Sequence, residues 1–418
     1  MRFSAPVLAL CEEALARVRT FEKPADAILS AFFREHREAG QSDRALVAET
    51  VYAALRRSRL LDEIAPKAAS RRMGLAIWAS LLGANLRELE PILQRSDREW
   101  LAGVKQAAHA DLPFAVQCDL PDWVIAALRE RFDDEALLKH AQALQLSAPL
   151  DLRVNLVKST REAVMDRLAT DGFKARATPF SPAGLRLEGK PAINRHALFL
   201  EGVIEVQDEG SQLLAWMVEP RRGEMVVDFC AGAGGKTLAL GMLMRSTGRL
   251  YAFDISAYRL DQLKPRLARS GLSNVHPQRI EGERDARIRR LAGKIDRVLV
   301  DAPCSGMGTL RRNPDLKWRQ SPESVARMLV KQAKILDAAS TLLKKGGRLV
   351  YSTCSLLAAE NQGIIEAFLA SHPDFRICPA REILERNRIE LEAGDYLELW
   401  PATHGTDGFF AAVLERMR

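Results

Sequence analysis

The stretch Val226–Lys236, reading VVDFCAGAGGK, restricts the chain more than any other. Val226, Val227 and Phe229 form an apolar run of the kind buried as an inner parallel strand. The glycine-rich turn Cys230-Ala231-Gly232-Ala233-Gly234-Gly235 follows, and Lys236 leads into good helix formers from Leu238 to Leu243. A strand, a glycine turn and a helix start together present backbone N–H groups and the positive helix end to a polar or anionic ligand. From residue 224 onward strands and helices alternate, which predicts an α/β fold with a doubly wound parallel sheet. Strands are expected at 225–229, 250–254, 275–280, 297–301, 348–353 and 409–414. Ser321-Pro322-Glu323 predicts a helix start, with Val325, Leu329, Gln332, Ile335, Leu336, Ala339 and Leu343 at helical spacing and Gly346-Gly347 as the stop.

Two familiar loops can be tested against this turn letter by letter. A phosphate-binding P-loop needs glycine five positions before Gly235, where this chain has Cys230. The dinucleotide pattern G-x-G-x-x-G, started at Gly232, finds Gly234 and then Thr237. The next apolar run, Arg249–Asp254, ends in an acid 19 residues after Gly235. A carboxylate at the end of the second strand is placed to accept both hydroxyls of a ribose. S-adenosylmethionine, with a ribose and no phosphate, satisfies both the turn and the acid.

Two further strands end in cysteine at the carboxyl edge of the expected sheet, where open α/β sheets bind ligands. The first runs Val298-Leu-Val-Asp301-Ala-Pro-Cys304-Ser-Gly306, the second Leu349-Val-Tyr-Ser-Thr-Cys354-Ser355. One such cysteine is ordinarily packing; two, each followed by serine, suit chemistry. The C5 carbon of a pyrimidine is too weak a nucleophile to attack a methyl sulfonium. A thiolate added at C6 makes C5 an enamine carbon that can, and a second group must then help expel the thiol. Asp301 is placed to protonate or hydrogen-bond N3 of the base. The residues alone leave open which cysteine adds. The loop Ala302-Pro303-Cys304 lacks the aromatic of the Pro-Pro-aromatic loops that favour amino-group methylation.

The rest of the chain agrees with a nucleic-acid enzyme without proving one. Among 418 residues the net charge is +7, a modest excess that suits a polyanionic partner. The cysteines at 11, 118, 230, 304, 354 and 378 form no C-x-x-C or Cys/His cluster, so no metal is expected. No apolar run reaches membrane-spanning length, and the start of the chain reads as an amphipathic helix, so a cytoplasmic protein with no membrane partner is expected. Residues 1 to about 110 carry apolar stripes at helical spacing, with Ser42 and Ser96 as candidate N-caps. Helices opening at Pro121 and continuing to Leu146, then a half-buried edge strand at 150–156, a helix at 159–171 and strands near 173–177 and 185–187, predict a small α+β module. Asp208–Val218 is expected as a helix entering the main sheet.

With the motifs DFCAGAGGKT, DAPCSGMGTLRRNPDLKW, YSTCSLLAAEN and DGFFAAVL in place, the chain resembles the Sun-type (RsmB/NSUN) RNA cytosine-5 methyltransferases. Its helical start, NusB-like in this comparison, and the stretch DLRVNLVKSTRE resemble the bacterial rRNA member. The resemblance implies a Rossmann-like class I methyltransferase domain at 206–418, preceded by an RNA-binding helical domain at 1–115 and a substrate-binding module at 121–205. It also implies S-adenosylmethionine held by Cys230–Lys236 and Asp254, with Asp301 near the methyl donor. Cys354 would be the nucleophile and Cys304 the residue promoting release, whereas DNA cytosine-5 methyltransferases use the earlier cysteine as nucleophile. The family's adenine-contacting acid falls among Glu281, Glu283 and Asp285, of which Glu281 is favoured. The family's CAAPGGK loop reads CAGAGGK here, and loss of that proline is expected to loosen the turn.

RNA contacts are expected from Arg311, Arg312 and Lys317, interleaved with Trp318, and from Arg153 and Asn155. Glu360-Asn361 matches a family motif and reads as a cap for the following helix. The expected partner is RNA, 16S rRNA first and tRNA as the alternative, with the chain acting as a monomer. The competing readings are a non-catalytic assembly factor and a DNA methyltransferase.

Overall fold

A computed structural model describes residues 3–417. They divide into two compact units, one comprising the chain up to Ser147 together with Thr309–Pro322, the other Ala148–Gly308 with Glu323 onward.

The first unit is built of helices, the longest at 5–18, 25–35, 41–56, 70–80, 97–108 and 134–145. Its core gathers Leu46, Val47, Val51, Leu75, Ile77 and Trp78, and the Trp78 indole N–H donates to Thr50 Oγ1 at 2.8 Å. Ser96 immediately precedes the helix at 97–108 but its side chain makes no capping hydrogen bond there, and the third of these helices already starts at Gln41 beside Gly40, not after Ser42. The helices at 122–129 and 134–145 pack within this unit. Gln145 shows why: its Nε2 donates to the carbonyls of Gln117 and Cys118, and Arg57 donates to its Oε1.

The second unit carries two sheets. The smaller contains β1 (Leu150–Val154), β2 (Ala175–Ala177), β3 (Gly184–Leu187) and β4 (Ile204–Val206) in the order β2-β3-β1-β4. β1 is therefore an inner strand, not the expected edge, because the short β4 covers its free side. Its Asp151 meets Arg186 on β3 in a bidentate pair at 2.6 and 2.8 Å.

The larger sheet contains β5 (Met225–Asp228), β6 (Arg249–Asp254), β7 (Val275–Arg279), β8 (Ile295–Asp301), β9 (Leu343–Thr353), β10 (Phe375–Ile377), β11 (Leu397–Leu399) and β12 (Phe409–Arg416). Its order is β10-β12-β9-β8-β5-β6-β7, with β11 pairing β12. β5 to β9 run parallel, while β12 is antiparallel to β9. The strand order turns about β5, so the ligand crevice of such a sheet lies at the carboxyl ends of β5, β6 and β8. The helix at 322–340 starts where Ser321-Pro322 predicts but stops at Ser340; Leu343 already opens β9, and Gly346 sits inside that strand segment at φ +75°. Gly346-Gly347 therefore bends a strand rather than ending a helix. β4, β10 and β11 are too short to leave a periodic signal in the sequence. Among the described residues, no helix is long and apolar enough to cross a membrane.

Candidate active site

The glycine turn after β5 adopts the conformation its composition requires. Gly232 lies at φ +54° and Gly234 at φ +84°. A Cβ on Gly234 would come within 2.1 Å of Leu263 Cδ1, whereas one on Gly232 would meet nothing within 4 Å. The turn needs glycine at 234 for packing, and at 232 it leaves open space beside the backbone. Asp254, at the end of β6 and 6% exposed, accepts the Gly232 N–H on Oδ2 at 2.8 Å and the Ser256 N–H on Oδ1 at 2.7 Å. Each carboxylate oxygen still has acceptor capacity to spare.

The turn is also braced from outside. Arg266 donates to the Ala233 carbonyl and Arg153 to the Gly235 carbonyl, each at 2.7 Å. Both arginines lie in Glu205's field: Arg266 pairs with it at 2.9 Å, and the charge of Glu205 partly offsets the burial that pulls Arg153 down to about 10. Arg153 is thus an internal brace of the loop and not the expected RNA contact. Asn155 is likewise buried, its amide donating to the carbonyls of Gly202 and Ser270.

Asp228, fully enclosed at the end of β5, accepts the Thr237 hydroxyl at 2.7 Å. Burial raises its carboxyl to about 7, helped by the nearby Asp301 and Asp254. Lys236 points across the crevice to Asp301, with Nζ 2.8 Å from Oδ2, and lies 5.7 Å from the centre of the Phe409 ring. Burial acts to lower the Lys236 ammonium, but Asp301 and the Cys354 sulfur outweigh it and leave it raised.

The parallel pairing of β8 with β9, in register from Val298↔Leu349 to Asp301↔Ser352, makes the two strands end together. The loops that follow bring Cys304 Sγ to 3.4 Å from Cys354 Sγ. The Gly308 N–H donates to the Cys354 carbonyl and the Gly408 N–H to the Gly308 carbonyl, both at 2.8 Å. A Cβ on Gly308 would stand 2.1 Å from the Gly408 carbonyl oxygen, so both glycine motifs serve this crossing. Cys304 is pushed well above an ordinary thiol by its hydrogen bond to Cys354, by burial, and by the charges of Cys354 and Glu360. It holds its proton and can donate it in a hydrogen bond to Cys354 Sγ. Cys11, by contrast, is core filler that burial pushes up to about 12.

The basic run after Cys304 is placed otherwise than expected. Lys317 is 3% exposed in the helical unit; its Nζ donates to the carbonyls of Arg56 and Asp119 and to Asp119 Oδ1 at 3.1 Å. Burial pulls its ammonium down to about 8. Arg311 is buried too, and its carbonyl accepts from Arg56. Both are therefore buried rather than the expected RNA contacts, Lys317 with its ammonium held by Arg56 and Asp119; Arg312 remains half-buried. Glu281 is exposed, and with Arg284, Arg287 and Lys334 it borders a basin of about 980 Å³. The Asp285 carboxylate is occupied by the Glu281 and Arg287 N–H groups, a helix-start role. Among the described residues no group of His, Cys, Asp and Glu could hold a metal ion.

Sequence reasoning missed Ser305, Ser355, Gln332 and Arg266. The serines adjoin the cysteines and were visible as a pair, but nothing in the linear pattern marks Gln332 or Arg266, which lie on otherwise ordinary helices. Glu360 does not cap the helix at 362–371; its carboxylate turns toward the serines.

This sheet, with its glycine turn, strand-end acid and crevice, is that of a Rossmann-like methyltransferase using S-adenosylmethionine. A family profile described as 16S rRNA methyltransferase RsmB/F matches residues 215–415, and one described as an RsmF/B-like ferredoxin-like domain matches 120–194. The chain belongs to the RsmB/F family of methyltransferases. It is 34% identical over 361 residues to a probable ribosomal RNA small subunit methyltransferase B of Synechocystis sp., covering 86% of this chain and 80% of that protein. The corresponding Bacillus subtilis protein is 28% identical, with 97% of each covered. Among solved structures, PH0851 superposes with a TM-score of 0.79 at 25% identity, covering 99% of this chain and 100% of that one. NSun6 from Pyrococcus horikoshii, solved with SFG, shares the fold at a TM-score of 0.63 and 20% identity, covering 71% of this chain and 98% of that one.

Proposed function

We propose that this enzyme transfers a methyl group from S-adenosylmethionine to C5 of a cytosine in RNA, with 16S rRNA as substrate. The observation that carries the reading is the 3.4 Å approach of the Cys304 and Cys354 sulfurs beside the Lys236–Asp301 pair. A binding factor has no use for two thiols held together at the mouth of such a sheet. The rRNA substrate rests on the relatives, which are named as small-subunit rRNA methyltransferases.

The residues fit the cofactor. Open backbone at Gly232 leaves room for it, Asp254 has acceptor capacity for the ribose hydroxyls, and Asp301 is paired with Lys236 at the end of β8. When bound, it supplies a methyl group on a positively charged sulfur. Cys354 is the nucleophile: its thiolate, beside the Cys304 S–H, forms a bond to C6 of the cytosine. The C5–C6 π pair moves to C5, which takes the methyl group, while Asp301 hydrogen-bonds the pairing edge of the base. Release requires the C5 proton to pass to water as the C5–C6 double bond reforms and the S–C6 bond breaks. Cys304, still a thiol, donates to the departing Cys354 sulfur and promotes that step.

The test replaces each cysteine in turn and supplies 16S rRNA and cofactor. Cys354→Ser should abolish both methylation and any covalent species. Cys304→Ser should block turnover while a protein–RNA adduct, stable to denaturing electrophoresis, accumulates. An adduct in the Cys354 variant and none in the Cys304 variant would reverse the two roles; no adduct in either would remove covalent catalysis.

A further inference from the structure

Beneath the two sulfurs lies a buried carboxylate that the reaction scheme leaves without a role. Glu360 is fully enclosed, and its carboxylate collects donors from both cysteine loops. Oε1 accepts the Ser305 N–H at 2.8 Å and the Gln332 amide at 3.0 Å; Oε2 accepts the hydroxyls of Ser305 and Ser355, each at 2.5 Å. Ser305 directly follows Cys304 and Ser355 directly follows Cys354, and the two hydroxyl oxygens are 3.2 Å apart. Gln332 also donates to the Pro303 carbonyl at 2.9 Å, so the residue before Cys304 is held by the same group. Four donors balance this one buried negative charge.

Resting on the proposed joint action of Cys354 and Cys304, we infer that Glu360 is a positioning residue that ties the two cysteine loops together and sets the separation of their sulfurs. In a neutral amide only one of the two polar atoms accepts, so both serine hydroxyls would have to turn from donors into acceptors and the charge-assisted bonds would be lost. Serine after each cysteine is then explained as the attachment point of the tie. The charge of Glu360 also helps to keep Cys304 in the thiol form that donates to the leaving sulfur.

The sulfur separation can be read without RNA. Phenylarsine oxide binds tightly only where two thiols lie close enough to share one arsenic atom. The full-length chain should bind it, and Cys354→Ser and Cys304→Ser should each lose that binding. Glu360→Gln should hold it at least tenfold more weakly, and the Ser305→Ala/Ser355→Ala double variant, which keeps the charge but cuts the tie, should do the same. In single-turnover methylation, both variants should slow adduct release more than adduct formation; a purely stabilising role would lower the melting temperature and spare that ratio. Undiminished arsenical capture by both variants, or by the double variant if Glu360→Gln does not fold, would overturn the inference. A chain that captures the arsenical yet methylates no cytosine would refute the proposed reaction and leave the tie standing.

Discussion

Replacing Asp254 with asparagine separates cofactor recognition from loop architecture. In the unaltered chain Oδ2 holds the Gly232 N–H at 2.8 Å and Oδ1 the Ser256 N–H at 2.7 Å. Asparagine keeps the shape but turns one oxygen into a donor, so one of those backbone N–H groups must face another N–H. That orphaned donor costs ~1–2 kcal/mol of folding stability, in free and bound protein alike. The affinity loss is separate: a charge-assisted acceptor for the ribose hydroxyls disappears, worth ~1.5–3 kcal/mol, or about a ten- to hundredfold rise in Kd. Because Asp254 is 6% exposed, salt should screen little of this, and the ratio should hold from low to high ionic strength. Calorimetric titration of S-adenosylmethionine into both proteins, without RNA, measures the effect, and the melting temperature reports the folding cost. A Kd within about threefold of the unaltered protein, alongside a lowered melting temperature, would make Asp254 a loop anchor and nothing more.

Two other substitutions test the electrostatics. Lys317→Met leaves the wholly buried Asp119 with only the Arg59 and Leu60 N–H groups and the more distant Arg57, and should destabilise the helical unit by ~3 kcal/mol in denaturant titration. At the same time the slope of log RNA affinity against log salt should not change, since Lys317 reaches no phosphate; a flatter slope would restore it as an RNA contact. Asp228, raised to about 7 by burial, contributes stability through its protonated form that is fully present below the unfolded value near 4 and lost as pH rises through 7. Asp228→Asn removes this titration, so between pH ~4 and ~7 the stability of the variant relative to the parent should rise by up to ~4 kcal/mol; a difference that does not vary with pH would refute it.

Much of this protein is legible along the chain because the signals are local. The order of strands and helices from 225 onward follows from apolar periodicity and glycine placement, both properties of neighbouring residues. The glycine turn, the acid at 254 and the two strand-end cysteines could be named because a parallel sheet puts successive strand ends on one edge. Family resemblance, carried by short contiguous motifs, then supplied what the motifs alone left open, the choice between two cysteines.

Only the tertiary structure decided what those motifs' charged neighbours do. Arg153, Lys317 and Arg311 read as phosphate contacts because a cation is by default at the surface, yet all three are buried, and carbonyls or a carboxylate from distant segments converge on Arg153 and Lys317. Arg266 and Gln332 gave no signal, since their partners lie 33 and 29 residues away along the chain. The 3.4 Å sulfur separation is likewise absent from the sequence: it depends on the register of β8 against β9 and on a carboxylate that draws both loops inward. Periodicity determines which elements form, because backbone geometry repeats with the residue count. Which buried polar groups meet depends on how those elements pack, where every donor and acceptor withdrawn from water has to find a partner from whatever segment folding brings beside it.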